Sequence, residues 1–180
     1  MLRVSFERIH LMKLIKKLSW AQIVFLLLTL AIMVTIFCLS AQNADSSSNT
    51  SARLTKTFVK TFYGDYNSFS PEKQHEIWEK SSFIVRKLAH FSIYTALGFC
   101  ASFTVGKRKL FTMKSLFVVL FGFIYAFSDE FHQSFSEGRS CEFRDMMIDT
   151  SGVFTGMLIS LALMFIIVRI ALKRTKRHQK

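Results

Sequence analysis

Apolar residues fall in four long blocks along this chain, and the polar residues gather at their ends. Residues 20–40 carry no formal charge, and further apolar runs follow at about 83–105, 115–132 and 146–172. These blocks show neither strict alternation nor the three-and-four spacing of a soluble amphipathic helix. At helical rise the first block extends about 31 Å, enough to cross the hydrocarbon of a bilayer. Lipid leaves the backbone no partner but itself, so only helices and closed barrels span it, and no ten-residue alternation marks a barrel. The pattern therefore predicts an all-α membrane protein, a bundle of four transmembrane helices.

Three hydrophilic stretches frame the bundle. Residues 1–19 hold Arg3, Arg8, Lys13, Lys16 and Lys17, with Leu11, Leu14, Ile15 and Leu18 at helical spacing, as in a basic helix on an anionic leaflet. Segment 41–82 opens with AQNADSSSNTS, residues that favour turns and caps, and then turns helical. There Leu54, Phe58 and Phe62 share a face flanked by Arg53, Lys56 and Lys60, and Ser70-Pro71 reads as an N-cap and first helical residue. This segment is expected to form short amphipathic helices against the membrane, or a cover over a substrate. Residues 173–180 form a basic tail.

Composition changes the picture only through placement. The chain has 180 residues, 51% of them hydrophobic, with 20 Phe, one Pro and a net charge of +12. With four spans both termini share a side. That side collects the N-terminal bases, Lys107, Arg108, Lys109 and Lys114, then Arg169 and the tail, against the one acid Glu7. The positive-inside rule places it in the cytoplasm, with 41–82 outside. The surplus charge thus reads as topology, and a nucleic-acid role is not expected without a recognition motif. Cys38, Cys100 and Cys141 lack metal-ligand spacing and read as packing residues. A cleaved leader competes for residues 20–40, but the run is long for one and reads better as an uncleaved anchor.

The polar ends of spans two, three and four then fall in one layer. Arg86, Lys87, His90 and Tyr94 open span two, while Tyr125, Asp129, Glu130, His132 and Gln133 close span three. The turn brings Arg139, and Asp145 and Asp149 start span four. Helical spacing puts Arg86, His90 and Tyr94 on one face, and Tyr125, Asp129 and His132 on another. Asp145, Asp149, Gly152 and Gly156 share a third, which joins the carboxylates to a close-packing Gly-x-x-x-Gly pair. Ionisable groups inside a membrane are costly unless paired or functional. The three bases Arg86, Lys87 and Arg139 and the four acids could form a nearly neutral network that locks the bundle, or a ligand site facing the outer leaflet.

The motifs R-K-x-x-H-F-x-x-Y from Arg86 to Tyr94, D-E-x-H-Q from Asp129 to Gln133, and G-R-x-x-x-x-x-D-x-x-x-D-x-x-G from Gly138 to Gly152 resemble the VanZ family of bacterial membrane proteins. The likeness runs from about Ile36 to the end of span four, and Ser40 and Gln42 resemble the family's Ser-x-Gln. It implies a bacterial plasma-membrane protein related to one that gives low-level resistance to the lipoglycopeptide teicoplanin. It also implies that Arg86, Lys87, His90, Tyr94, Asp129, Glu130, His132, Gln133, Arg139, Asp145, Asp149 and Gly152 are motif positions. Cys141-Glu142-Phe143-Arg144 departs from the smaller or more neutral residues expected in the turn.

Three functions fit these residues. The first is binding or shielding of an amphiphile, such as a lipid-linked envelope precursor or a lipoglycopeptide, with Arg86, Lys87 and Arg139 on its anionic groups. The alternative is an enzyme acting on a lipid head group, with Asp129, Asp149 or His90 as general acid or base, although no nucleophile motif accompanies them. A scaffold pairing through Gly152 and Gly156 is the third. A metal-assisted enzyme would draw on His90, His132, Asp129 and Glu130, residues of scattered origin, so no metal and no cofactor is expected. The bilayer is the one partner the pattern demands, and it leaves the oligomeric state open.

Overall fold

The computed structural model describes residues 20–106, 110, 112–136 and 141–178, in which every regular element is helical. Helix α1 is Trp20–Ser40, α2 Ala44–Phe62, α3 Pro71–Val105, α4 Met113–Gln133 and α5 Phe143–His178. A short 3-10 turn at Tyr66–Ser68 joins α2 to α3. Helices α1, α3, α4 and α5 are each long and apolar enough to cross a membrane. The basic N-terminal segment 1–19, the bases at 107–109, Arg139 and residues 179–180 lie outside the described residues.

Element boundaries depart from the sequence pattern in instructive ways. The serine-rich stretch expected to turn is helical from Ala44 onward. Asn43 caps it by accepting the Ser46 N–H at 2.9 Å, and the hydroxyls of Thr50, Ser51 and Thr55 bond carbonyls four residues back. These polar groups satisfy themselves along the helix instead of breaking it. The second amphipathic piece is not a separate helix either. Ser70 caps α3 from the Lys73 N–H, Pro71 starts it, and the helix runs 35 residues without interruption into span two. At about 52 Å it exceeds the hydrocarbon thickness, so its first turns stand outside the span. Helix α5 likewise continues beyond the apolar block, over Phe143–His178.

The four spans run up and down, so the C-terminal ends of α1 and α4 meet the middle of α3 and the start of α5. At one end of the bundle Gln22 donates to the Thr104 carbonyl at 3.0 Å. At the other, Ser136 donates to the Ser40 carbonyl at 3.3 Å. Lipid supplies no hydrophobic force between helices, so the spans must gain from close contact. Glycine makes that contact possible between α3 and α5. A Cβ on Gly156 would lie 1.9 Å from the Thr95 carbonyl oxygen, and one on Gly98 would lie 2.1 Å from that of Val153. Tyr94, Leu97, Val153 and Met157 fill the seam and are essentially buried. The outward faces of the spans keep large side chains such as Leu27, Phe117, Ile124 and Phe165 exposed, as a lipid-facing surface requires.

Helix α2 lies across the end of the bundle that holds the polar layer. It buries Thr55 and Val59, and the first part of α3 buries Ile77 and Ser81. Leu54 and Phe62 stay exposed, and the Phe58 ring meets that of Phe62 at a tilt, with centres 4.6 Å apart. The apolar face expected of α2 is therefore largely exposed, with Arg53, Lys56 and Lys60 exposed beside it.

Candidate functional site

Asp129 is the centre of the polar layer. One turn before the end of α4, it is 4% exposed and accepts from the Tyr94 hydroxyl at 3.0 Å and from the Gln133 amide at 2.9 Å. Ser40, the last residue of α1, donates to its other oxygen. Three helices thus converge on one carboxylate. The donors Ser40, Tyr94 and Gln133 are all uncharged.

Asp149 sits nearly two turns into α5 and is fully buried. Its carboxylate oxygens have no hydrogen-bond partner among the described residues. The Nδ1 of His90 lies 3.6 Å from one of them, within ion-pair reach but too far for a hydrogen bond. One atom each from His90, Asp129 and Asp149 falls within a 4.8 Å cluster. Their different helices carry them to one point because the α3–α5 seam brings His90 beside Asp149, while Tyr94, one turn further along α3, reaches across to Asp129.

The structure divides the sequence-derived candidates into groups. The face of α4 that holds Tyr125, Asp129 and His132 packs on α1: Tyr125 donates to the Met33 carbonyl at 2.6 Å, and the His132 ring stacks on Phe37 at 4.3 Å. Glu130 is buried on a different side and accepts the Glu142 N–H at 3.1 Å, which ties α4 to the start of α5. Lys87 leaves the Arg86–His90–Tyr94 face and pairs with Asp145. Lys87 also borders a shallow groove between α3 and α5 with Phe83 and Arg144. Lys87 thus turns away from the Arg86 face, because successive residues on a helix are rotated by about 100°. Gly152 and Gly156 both face α3, where added Cβ atoms would meet the Phe91 and Thr95 carbonyls at 2.6 and 1.9 Å. A scaffold reading needs that face for a partner, and α3 of the same chain occupies it.

A cavity of about 240 Å³ opens beside Asp129 and under α2. Ser40, Arg86, His90 and Tyr94 supply its polar wall. Ile36, Leu39, Ala89 and Ile93 supply an apolar wall, and Ser47, Thr50, Ser51 and Leu54 of α2 close it from above. The sequence candidates include Arg86, His90 and Tyr94 of this set. They omit Ser40 and every α2 residue, although the reading of 41–82 as a cover over a substrate and the Ser-x-Gln at Ser40 and Gln42 both point there. A guanidinium, an imidazole and hydroxyls beside an apolar wall suit a ligand with an anionic or polar head and a greasy body.

Fold and site together define a multi-pass helical membrane protein with a polar layer buried at one end of its bundle and an amphipathic helix laid over it. Residues 25–167 match the family model described as VanZ/LLP1, and the chain belongs to that VanZ-like family. No curated protein and no solved structure matches it.

Proposed function

We propose that this chain binds an amphiphilic cell-envelope ligand at the outer leaflet of a bacterial plasma membrane, with both termini in the cytoplasm. The cavity beneath α2 carries this reading, because it sets Arg86 and His90 next to an apolar wall at the end of a membrane bundle. Arg86 brings a planar guanidinium to the cavity wall, the group that suits a phosphate or carboxylate, and Leu39, Leu54 and Ile93 meet the first carbons of a chain. Lys87 takes no part, since it is engaged with Asp145 on the other side of α3. A lipid-linked wall precursor or a lipoglycopeptide has the required chemistry. Sequestering either at the membrane surface would lower susceptibility to drugs of the teicoplanin type.

The test is direct labelling. A photo-crosslinking residue placed at Ala89, in the full chain in bacterial membranes, should capture anionic lipid, and the adduct should diminish when Arg86 is changed to Ala. Equal capture by the same probe at Ile124, an exposed position on the side of a span, would count against the cavity.

A second reading, chemistry on the head group, is supported by the approach of His90 to Asp149 at 3.6 Å, which resembles an imidazole and its orienting carboxylate. Time-dependent cleavage of a lipid phosphate by the purified chain, lost with His90→Ala, would favour it over simple binding.

A further inference from the structure

We propose that His90, Asp129 and Asp149 form a binding site for one divalent transition-metal ion. The three residues come from α3, α4 and α5, and each offers a ligand atom within the same 4.8 Å cluster. Ligand atoms about 2.1 Å from one tetrahedral ion lie about 3.4 Å apart, so side-chain rotations that close the set by up to about 1.4 Å would complete it. An imidazole with two carboxylates is a borderline nitrogen and oxygen donor set, which suits zinc or manganese better than calcium.

Asp149 gives the independent reason. A buried carboxylate is stable when hydrogen-bonded, paired or bound to a cation. Asp149 is fully buried, both its oxygens lack a hydrogen-bond partner among the described residues, and one of them belongs to the cluster. Asp129 is arranged as ligating carboxylates usually are. Its Oδ2 takes two donors, Tyr94 and Gln133, whereas Oδ1 takes the Ser40 hydroxyl and retains a lone pair. One divalent ion would balance the two carboxylates with His90 neutral. Three protein ligands leave a coordination position open, and because His90 lines the cavity, that position faces the ligand space. Only the identity of what fills it, an anionic head group, rests on the proposed function.

The test uses the full chain in detergent, stripped with a chelator and titrated with Zn²⁺ or Mn²⁺ alone. One ion should bind per chain and raise the unfolding temperature. His90→Ala and Asp149→Asn should abolish this, Tyr94→Phe should weaken affinity about 10–100-fold by loosening Asp129, and the surface change Glu76→Gln should leave it intact. In case the ligand variants fold poorly, the d–d spectrum of Co²⁺ in the native chain reads nitrogen and oxygen ligation without any mutation. Absence of stoichiometric binding to the native chain, or binding that survives in folded His90→Ala, overturns the site. A native chain that takes up neither Zn²⁺ nor Mn²⁺ yet still binds anionic lipid would sink the metal while leaving the head-group reading standing.

Discussion

The hydroxyl of Tyr94 on α3 donates to Asp129 on α4 at 3.0 Å, and both residues are buried. This bond couples the wall of the cavity to the carboxylate behind it. Replacing Tyr94 with Phe keeps the ring and removes one of the three donors to Asp129. The expected loss of stability is about 1–2 kcal/mol, the range for a buried hydrogen bond that loses one partner and near the upper end for membrane helices. Reversible unfolding of the two forms in the same detergent measures it, and equal stabilities would mean that the bond contributes nothing.

The seam between α3 and α5 makes a sharper prediction. Gly156→Ala forces a Cβ against the backbone of Thr95, which cannot rotate away. The helices must separate, at a cost of at least about 2 kcal/mol by the measure of overpacked cores. Gly64→Ala is the control, because nothing lies within 4 Å of the Cβ it adds. Thermal unfolding of both variants should show a large fall for the first and almost none for the second.

Arg86 and Lys87 are neighbours in sequence with different expected phenotypes. Arg86→Ala should weaken binding of an anionic amphiphile about tenfold to a hundredfold, the worth of one charge-assisted hydrogen bond. Lys87→Met should leave binding unchanged and lower stability, because it leaves Asp145 partly buried without its cation. Binding and unfolding measured on both variants should give crossed results.

The proposed orientation is tested at Gly64, which lies between α2 and α3. In a chain with Cys38, Cys100 and Cys141 replaced, Gly64→Cys should react in intact cells with a membrane-impermeant maleimide. Labelling that requires cell lysis would invert the topology.

How much of this the sequence disclosed follows from the range of the physics involved. The spans were legible because long uncharged runs such as 20–40 have one stable setting in lipid. The alignment of Tyr125, Asp129 and His132 was legible too, since helical spacing alone fixes it. What they face was not: that Tyr125 reaches Met33 and His132 stacks on Phe37 depends on how α1 packs against α4. Similar limits hid the different directions of Arg86 and Lys87, which the positive-charge count treated as one cluster. The helical start of α2 was missed because its Ser and Thr residues, elsewhere turn formers, here bond back along the helix.

The central claim is that an amphiphile's head group occupies the cavity beneath α2. Its most direct measurement is the dissociation constant of an anionic lipid for the purified chain, by native mass spectrometry, in the native form and in Leu54→Trp. The larger side chain at this cavity-lining, largely exposed position should fill the space and weaken binding severalfold while leaving stability nearly unchanged. Native-strength binding in Leu54→Trp and Arg86→Ala alike would contradict the account.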